Sequence, residues 1–578
     1  LNIFQFIADD VNKLVQKYFL STYEYPLKMI IPQLFVKDKK LNDRDLKQLI
    51  HVKSEEFSRD VISSAFLVQP LDNLVGKILH SLQNMVDKLP HELISDIMSY
   101  NSDLVISPLH KETIRMDNQI FLGSKAYFLK KLCLANFPVP HGFILTTEVF
   151  RRRNAINNHP DIKKEMDDLI YTQLRKLEKR TDTEFGNPKK PLLLSVRSGT
   201  AISMPGAMDT FLNVGMNDEL AEELSKQPNY WWTAWDCYRR FIQSWGMAHG
   251  IDRDVFDQII LQYKTKYNVD LKMNFESSIM KEIAMDYKKV LAENNIHLEQ
   301  NLFEQLKMTI DSVFDSWSSQ RAEVYREHMQ IADEWGTAVI VQKMILGNLN
   351  RTSGTGVVFT QNPNRERQGV HLFGDFTLCS QGEDIVGGLV NALPISETQR
   401  KQLQLDRQSL QLLLPDMYKR IHQIAQDIVE NHGYPPQEIE FTFESENPDD
   451  LYILQTRDMD IKKQKKIHLF TTPPDQMNLV GRGTGIGGGA MNGILAFDMK
   501  DLEEYARKYS GKNLILVRPD TVPNDIGMIF ECDGLLTAKG GATSHAAVTA
   551  VRLGKTCVVN CTDLLVNEIK KECSINGI

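Results

Sequence analysis

The chain has 578 residues, of which 42% are hydrophobic and 25% are charged, and its formal net charge is −8. This length allows several domains of about 100–200 residues, and the ordinary composition is typical of a globular protein. The acidic balance argues against general nucleic-acid binding, which needs a basic surface, and no apolar run approaches the ~18 residues of a membrane span. The seven cysteines include no CxxC pair, which predicts a cytoplasmic protein without a disulfide or a zinc site.

The first 112 residues are predicted to form a helical region. The segments FIADDVNKLVQKYF and PLDNLVGKILHSLQNMVDKL repeat apolar residues at three- and four-residue spacing, which is the pattern of amphipathic helices. No chemical motif accompanies them, so the sequence assigns this region no role.

Two candidate phosphate-binding residues open the next region, residues 113–460. Lys125 follows a turn of small residues at a predicted helix start in LGSKAYFL, where a lysine can reach a phosphate. Arg197 ends a buried-looking strand, LLLSVR, before a loop rich in serine, glycine and threonine. Its guanidinium fork and the backbone N–H groups of such a loop suit phosphate oxygens. The alternatives are a surface lysine and a structural arginine in a turn.

Long amphipathic helices are predicted over roughly residues 216–330. The aromatic-rich segment NYWWTAWDCYRRFIQSWGMAHG places five large side chains on one helical face: Trp231, Trp235, Tyr238, Ile242 and Trp245. Such a stripe predicts core packing rather than a ligand site.

The segment EIEFTFESENPDDLYILQTRD is predicted to form a β-hairpin. Glu438 and Glu440 alternate along its first strand and therefore face the same side. Two carboxylates that point together repel each other unless a cation lies between them, and Mg²⁺ bound with ATP phosphates is the usual cation. The alternative is a pair of exposed glutamates on an edge strand.

A basic linker is predicted at residues 461–470, followed by a compact α/β domain at residues 471–578. The stretches LILVRP, GLLTAKGG, HAAVTAVRLG and TCVVNC read as strand, strand, helix and strand. The glycine-rich stretch GRGTGIGGGAMNG contains a formal GxGxxG but lacks a clear βαβ context. It is therefore predicted to be a flexible turn.

His545 is the most unusual residue of this last domain. It follows the Gly-Gly turn of KGGATSHAAV, where Thr543 or Ser544 can cap a helix. In the first turn of that helix, the positive end of the dipole favours neutral imidazole, which is the nucleophilic form. The same end stabilises a phosphoryl group on the ring. The alternative is a histidine that merely neighbours a helix cap.

Together, these segments resemble those of the pyruvate phosphate dikinase family, which is related more distantly to phosphoenolpyruvate synthase. The resemblance runs from about residue 118 to residue 578 and is most specific in SVRSGTAISMPGAMDT and GGATSHAA. It implies an α/β (α+β) chain with an ATP-grasp nucleotide-binding domain, residues 113–460, and a swivelling phosphohistidine domain, residues 471–578.

The resemblance also implies roles for individual residues. His545 matches the phosphorylated histidine, Lys125 and Arg197 match ATP-phosphate contacts, and Glu440 matches a catalytic or metal-binding glutamate. The residues implied to contact ATP are Lys125, Arg197, Arg240, Gln342, Met344, Ile345, Gln455 and Arg457, and those implied to hold Mg²⁺ are Glu438 and Glu440. His545, Arg197 and Glu440 are the implied catalytic residues.

Several features depart from the family pattern. Glu438 stands where the dikinases usually carry aspartate, and Ser124 replaces the second glycine of GGK. The family's C-terminal barrel, which binds pyruvate, is absent from the sequence, so a barrel supplied in cis or in trans is expected.

The sequence therefore predicts an ATP-dependent dikinase that loads His545, releases AMP and delivers the group to a small acceptor such as pyruvate. No nucleic-acid or membrane partner is expected. One alternative is a dikinase with another acceptor, as in rifampicin phosphotransferase. A second is a non-catalytic ATP-binding regulatory protein. An ATP-grasp ligase is disfavoured, because ligases do not need a histidine domain.

Overall fold

The computed structural model describes residues 21–35, 43–64, 101–158, 160–204, 206–362, 369–386, 392–459, 470–472, 476–486, 489–509, 511–521, 525–540, 553–568 and 570–577. The two predicted N-terminal helical segments, the predicted linker up to residue 469, and residues 541–552 with His545 lie outside the described residues. The chain forms two compact units: residues 1–100 with 504–512, and residues 101–503 with 513–578.

Two helices are described in the first unit, α1 (Ser21–Phe35) and α2 (Asp43–Ser64). They pack against each other, and the ammonium group of Lys53 lies 5.2 Å from the centre of the Phe35 ring. The described residues 21–35 and 43–64 are therefore helical.

The first sheet of the second unit has five antiparallel strands in the order β1-β2-β5-β3-β4. These are β1 (Ile106–Pro108), β2 (Gly142–Leu145), β3 (Leu194–Gly199), β4 (Thr210–Val214) and β5 (Ala338–Lys343). The predicted domain boundary at residue 112 stays a prediction, and β1 on its N-terminal side already pairs with β2.

Among the described residues, ten α-helices accompany the first sheet. They are α3 (Gln119–Leu134), α4 (Thr147–Arg151), α5 (Arg153–Asn158), α6 (Pro160–Thr181), α7 (Asp218–Ser225), α8 (Thr233–Ala248), α9 (Arg253–Tyr267), α10 (Ser277–Glu293), α11 (Leu302–Asp315) and α12 (Gln320–Met329). The aromatic stripe lies on α8: Trp235, Tyr238, Ile242 and Trp245 are buried as predicted. The prediction is wrong for Trp231, which precedes the first residue of α8 and is 52% exposed.

The second sheet is also antiparallel, in the order β10-β9-β6-β7-β8. Its elements are β6 (Gly354–Phe359), β7 (Phe373–Leu378), α13 (Gly382–Val386), β8 (Leu393–Pro394), α14 (Glu397–Gln402), α15 (Leu410–Leu413), α16 (Pro415–Gln426), β9 (Gln437–Phe443) and β10 (Leu451–Asp458). The predicted hairpin is confirmed as β9 and β10. One hydrophobic core joins α3, β5, β9 and α16, so the two sheets and their helices, residues 101–459, are termed the two-sheet region.

Residues 470–577, termed the C-terminal region, contain a third sheet in the order β11-β15-β14-β13-β12. The elements are β11 (Thr484–Ile486), β12 (Ile494–Ala496), α17 (Met499–Lys508), β13 (Leu514–Arg518), α18 (Ile526–Glu531), β14 (Gly534–Thr537), β15 (Thr556–Val559), β16 (Leu564–Asn567) and β17 (Glu572–Ile575). Strands β12 to β15 run parallel, and β11 pairs antiparallel with β15. The prediction of a flexible turn is therefore wrong for residues 484–486, because their backbone groups pair with a neighbouring strand.

The predicted α/β (α+β) fold class is confirmed by these sheets and helices. All seven cysteines lie within the described residues and are free. None of the helices in the described ranges is long and apolar enough to cross a membrane.

Candidate functional site

A cavity of about 680 Å³ opens in the two-sheet region and is lined by strands of both of its sheets and by α8 and α9. Among the residues that the structure describes, eleven cationic side chains line this cavity against six carboxylates. The chain as a whole carries a net charge of −8, so the cavity concentrates positive charge where the rest of the surface does not. Such a concave, cationic surface attracts anions. The cations are Lys125, Arg197, Arg239, Arg240, Arg253, Lys264, Lys272, Arg321, Lys343, Arg457 and Lys539.

A close backbone contact brings Lys125 beside Arg197. Helix α3 is kinked at Gly123, which has the left-handed φ of 72°. A Cβ atom at Gly123 would lie 2.0 Å from the carbonyl oxygen of Gly199 at the end of β3. The Ser124 N–H donates to the Thr200 carbonyl at 2.8 Å. Only glycine permits this approach. The helix start predicted at Lys125 lies inside α3, which begins at Gln119 and regains helical geometry after Gly123.

Lys125 has no carboxylate bonded to it among the described residues. Burial and the nearby Arg197 lower the pKa of its ammonium group to about 7, although Glu440 acts in the opposite direction. Its side chain has no hydrogen bond or ion pair among the residues that the structure describes. A bound anion would supply the partner that this ammonium group lacks.

Arg197 is buried and held by neutral acceptors. Its Nη2 donates to the Gln342 side-chain oxygen at 2.6 Å and to the Leu454 carbonyl at 3.1 Å. Its Nε has no partner within the described ranges, and burial lowers the pKa of the guanidinium group. Gln342 in turn donates to the Pro140 carbonyl at 2.7 Å. The guanidinium group is therefore fixed in place while its charge stays available to a ligand.

The β9–β10 hairpin supplies further residues of the cavity lining. Arg457 lies across from Glu438, and Gln455 lies across from Glu440. The Arg457 Nη2 donates to Glu438 at 2.6 Å and contacts Glu440 at 3.4 Å. Burial acts to lower the pKa of Arg457, but the two carboxylates outweigh it and raise that pKa. Arg457, Gln455 and Glu440 line the cavity, whereas Glu438 does not.

Arg240 also lines the cavity, but within a buried network of charges. Its Nε donates to Asp236 at 2.8 Å, and its two terminal nitrogens donate to both oxygens of Asp384. Arg239 contacts the other oxygen of Asp236, and Lys272 contacts Asp384 at 3.1 Å. Burial opposes the charged state of Arg240, yet Asp236 and Asp384 raise its pKa well above the ordinary value. Most of its bonding capacity is therefore used inside the protein.

The segment expected to contact adenine lies at the end of β5. Gln342, Met344 and Ile345 all line the cavity. The Met344 N–H donates to the Leu193 carbonyl at 2.8 Å, and the side chain of Ile345 is buried. The apolar side chains of Met344 and Ile345, in a cavity that is also lined by cations, are suited to contact the flat face of a base.

Several charged residues of this site were not predicted from the sequence. The carboxylates of Asp236 and Asp384 and the ammonium group of Lys272 were not singled out as partners of Arg240. Asp384 lies in SQGEDIVGG, a segment that the resemblance marks without assigning it a role. Since α8 and α13 are far apart in the chain, local sequence patterns cannot reveal that these charges meet.

Lys539 is a further unpredicted residue of the site, because it comes from the C-terminal region and yet lines the same cavity. Its N–H donates to the Pro519 carbonyl at 2.9 Å, and its carbonyl accepts from the Thr537 hydroxyl at 2.6 Å. Burial and the proximity of Lys539 lower the pKa of Lys264 on α9. The chain thus reaches the cavity six residues before His545, which lies outside the described residues.

The carboxylates near Arg457 are the candidate site for Mg²⁺. Within the part of the chain that the structure describes, no group of three or more histidine, cysteine, aspartate or glutamate side chains could hold a metal by itself. Mg²⁺ commonly binds one or two carboxylates and takes its other ligands from phosphates and water. Glu440 fits that description because it faces the cavity beside Gln455.

Comparison with known proteins agrees with the observed architecture. Residues 153–402 match the family model described as pyruvate phosphate dikinase, AMP/ATP-binding domain. Residues 511–578 match the one described as PEP-utilising enzyme, mobile domain. The second range covers most of the C-terminal region.

Curated relatives match over much of this chain. It is 34% identical to a pyruvate, phosphate dikinase of Rickettsia typhi over 482 residues, which cover 78% of this chain and 53% of the relative. The corresponding protein of Clostridium symbiosum is 33% identical over 491 residues, covering 79% and 54% of the two chains. A chloroplastic one of Flaveria trinervia is 34% identical over 489 residues, covering 79% and 49%. The chain spans about half the length of the curated relatives it matches.

Proposed function

We propose that this chain, which belongs to the pyruvate phosphate dikinase family, is an ATP-dependent phosphotransferase. It transfers phosphate from ATP to a carrier histidine, His545. ATP occupies the cationic cavity, and the loaded group is passed to a small acceptor. The observation that carries the proposal is the set of cationic groups with unpartnered donors, Lys125, Arg197 and Arg457, in a cavity that Lys539 also lines.

The phosphates of ATP are the ligand that this set would neutralise. Lys125 contributes a point charge, and the fixed guanidinium groups of Arg197 and Arg457 contribute planar pairs of donors. Charge neutralisation and positioning supply most of the catalysis in phosphoryl transfer. Arg240 stays a proposed ATP contact, and its pairing with two carboxylates favours a supporting role, in which it shapes the cavity wall.

His545 is the proposed nucleophile. In the family's reaction, a neutral ring nitrogen attacks the β-phosphorus, a nitrogen–phosphorus bond forms, and the bond from that phosphorus to the α–β bridging oxygen breaks. AMP leaves with the electron pair, and the histidine carries both outer phosphates. A covalent intermediate of this kind divides one difficult transfer into two easier steps.

Glu440 and Gln455 are the residues proposed to hold Mg²⁺ together with the ATP phosphates. When bound, Mg²⁺ neutralises charge on the β- and γ-phosphate oxygens. Glu438 was also expected to bind the metal, and that stays a prediction. Its pairing with Arg457 at 2.6 Å favours a different role, in which it orients the guanidinium group.

Pyruvate is the proposed acceptor because the relatives are named for it. A dikinase with another acceptor, resembling rifampicin phosphotransferase, is the alternative. A cytoplasmic location is proposed from the cysteine usage, and a barrel domain supplied in cis or in trans is the proposed source of the acceptor site.

The proposal is tested by incubating the protein with ATP and Mg²⁺, with label placed in the β- or the γ-phosphate. Both labels should become protein-bound in acid-labile, base-stable form, and AMP should be released in equal amount. His545→Ala should abolish labelling. His297→Ala is the control, since the His297 side chain is 78% exposed.

Two outcomes would overturn the proposal. Equal labelling of His545→Ala would show that another residue carries the group. ATP binding without any labelling of the wild-type protein would favour the non-catalytic regulatory alternative. Addition of pyruvate to labelled protein, against a panel of other small acceptors, then tests the second half of the reaction.

A further inference from the structure

Lys539 and Lys264 line the cavity from different parts of the chain. Lys539 follows β14 in the C-terminal region, whereas Lys264 lies in the last turn of α9 in the two-sheet region. Burial and the charge of Lys539 lower the pKa of Lys264, and Asp270 acts in the opposite direction. The two ammonium groups are therefore close enough to repel each other.

Helix α9 presents Lys264 on the face that lines the cavity. Asp257, Leu261 and Lys264 follow one another at four- and three-residue spacing, and all three line the cavity, as expected for one face of a helix. Elsewhere on the helix, Phe256 is fully buried, and the Tyr287 hydroxyl of α10 donates to its carbonyl at 2.9 Å. The helix is therefore anchored to its neighbour, and Lys264 extends from a fixed support.

The backbone of Lys539 is also held in place. Its N–H donates to the Pro519 carbonyl at 2.9 Å, and its carbonyl accepts from the Thr537 hydroxyl at 2.6 Å. The side chain of Thr537 is 1% exposed, and its carbonyl accepts from the Cys561 N–H at 3.1 Å. The exposed side chain of Lys539 therefore reaches the cavity from a backbone that is fixed by β13, β14 and the residues after β15.

The carboxylates of the cavity leave both lysines without a bonded partner. Among the residues that the structure describes, neither Lys264 nor Lys539 has a hydrogen bond or ion pair through its ammonium group. Two neighbouring cations repel each other unless an anion lies between them. Four of the six carboxylates are bonded to other cations: Asp209 to Arg321, Asp257 to Arg253, Asp384 to Arg240, and Glu440 to Arg457.

We infer that Lys264 and Lys539 bind the two outer phosphates of ATP, and that Lys539 is a phosphate contact supplied by the C-terminal region. The inference rests on the proposed function, in which both outer phosphates are transferred to His545, six residues after Lys539. A lysine this near the acceptor in the chain contacts the part of ATP that is transferred, whereas the base is assigned to Met344 and Ile345 of the two-sheet region. The lysine ammonium group, a compact charge on a flexible stem, suits phosphate oxygens that change position during transfer.

The contact is tested on the full chain by the rate at which an amine-specific acylating reagent modifies each lysine, measured by mass spectrometry of peptides. The probe is an ATP analogue with a methylene group between the α- and β-phosphorus atoms, which cannot transfer its outer phosphates. At a concentration about ten times its Kd, the analogue should slow modification of Lys264 and Lys539 about tenfold. AMP at the same saturation should slow neither, because it lacks the outer phosphates.

Two exposed lysines are the controls for this measurement. Lys266 lies on α9 outside the cavity lining, and Lys570 lies in the C-terminal region. Neither nucleotide should change the rate at which these two lysines are modified. Equal protection of Lys264 and Lys539 by AMP, or protection by neither nucleotide, would overturn the assignment to the outer phosphates.

Substitution separates a phosphate contact from a structural role. Lys539→Ala should slow histidine labelling by saturating ATP about tenfold or more, as expected for the loss of a charged hydrogen bond. Lys539→Arg keeps the charge and should restore most of the rate, and Lys570→Ala is the matched control. The double variant with Lys264→Ala should be less slow than the product of the two single effects, because both lysines act on one group. Labelling of Lys539→Ala at the wild-type rate would overturn the contact.

These readouts separate the phosphate contact from the proposed function. Protection by the analogue requires no chemistry, so selective protection of Lys264 and Lys539 without any histidine labelling would refute the phosphotransferase and support the contact. Histidine labelling by ATP together with unprotected lysines would support the phosphotransferase and refute the contact.

Discussion

Two groups of positive charge line the same cavity, and they differ in what neutralises them. Lys125 and Arg197 have no carboxylate bonded to them, and each has donor atoms without a partner among the described residues. Arg239 and Arg240, on α8, are bonded to Asp236 and Asp384 within a buried network. The first group therefore has donors that could bind an anion, whereas the charges of the second group are already paired with carboxylates.

The pKa values of Lys125 and Arg240 shift in opposite directions because only Arg240 has carboxylates bonded to it. Burial and a neighbouring cation lower the pKa of Lys125 to about 7. Burial acts on Arg240 as well, but two carboxylates reverse its effect and raise the pKa. A cationic side chain that lines a cavity is therefore not evidence for ligand binding by itself. The state of its other partners decides whether its charge is available.

The largest expected effect comes from breaking the completed network. Asp384→Asn removes the charge that faces Arg240 and Lys272, and leaves a buried excess of positive charge. The loss of stability should be about 3–5 kcal/mol. Urea unfolding, monitored by tryptophan fluorescence to which the buried Trp235 and Trp245 contribute, measures this loss of stability. Asp416→Asn on an exposed turn of α16 is the control. Full stability with weakened ATP binding would instead place Arg240 among the phosphate contacts.

A smaller loss of binding, with little loss of stability, is expected at the other group. Lys125→Ala removes a charged donor that has no partner in the unliganded site, so ATP affinity should fall by about 1–3 kcal/mol. Calorimetric titration measures the affinity. Lys131→Ala, on the same helix outside the cavity, is the control. Unchanged affinity would show that the lysine does not reach the phosphates.

The lowered pKa of Lys125 also predicts how ATP binding depends on pH. A bound anion favours the protonated lysine. This group therefore adds no pH dependence below its unliganded pKa of about 7. Above that pH, affinity should fall by up to about tenfold per unit, and a proton should be taken up on binding. Titrations between pH 6.5 and 9, in buffers of different ionisation enthalpy, measure the proton count. Lys125→Arg should flatten the profile and is the control for the titration of ATP itself.

The lowered pKa of Lys125 has the opposite effect on folding: it makes stability rise with pH, whereas ATP affinity falls. The unfolded lysine keeps the ordinary pKa of 10.5, so the unfolded chain binds more protons than the unliganded fold between about pH 7 and that value. The contribution of this group therefore makes the unliganded protein more stable as the pH rises through this window. Comparison of unfolding midpoints for wild type and Lys125→Arg over the window tests the sign.

The smallest effect is expected at Glu438. Glu438→Gln keeps a hydrogen-bond acceptor beside Arg457 and should weaken ATP binding by about 1 kcal/mol, without changing the Mg²⁺ concentration needed for half-maximal labelling. Glu440→Gln should raise that concentration. A shift in Mg²⁺ dependence for Glu438→Gln as large as that for Glu440→Gln would restore Glu438 as a metal ligand.

Local sequence patterns predicted the parts of the molecule that depend on local interactions. The β9–β10 hairpin, the strand that carries Arg197 and the aromatic face of α8 follow from alternation and helical spacing. The contact between Gly123 and Gly199 does not, because it joins a helix to a strand some 76 residues away. The pairing of Arg240 with Asp384, which spans 144 residues, likewise depends on tertiary packing that no local pattern encodes. Trp231 was predicted to be buried but is exposed, because α8 begins after it and helical spacing alone does not predict where a helix begins.

The position of β11 has a consequence for producing the C-terminal region by itself. The family match to the mobile domain begins at residue 511, but the sheet also contains β11 at residues 484–486 and β12 at residues 494–496, one at each edge. A fragment that starts at residue 511 would lose both edge strands and leave the backbone groups of β13 and β15 unpaired. Exposed strand edges promote association between copies, so such a fragment should aggregate, whereas one that starts before residue 484 should remain monomeric.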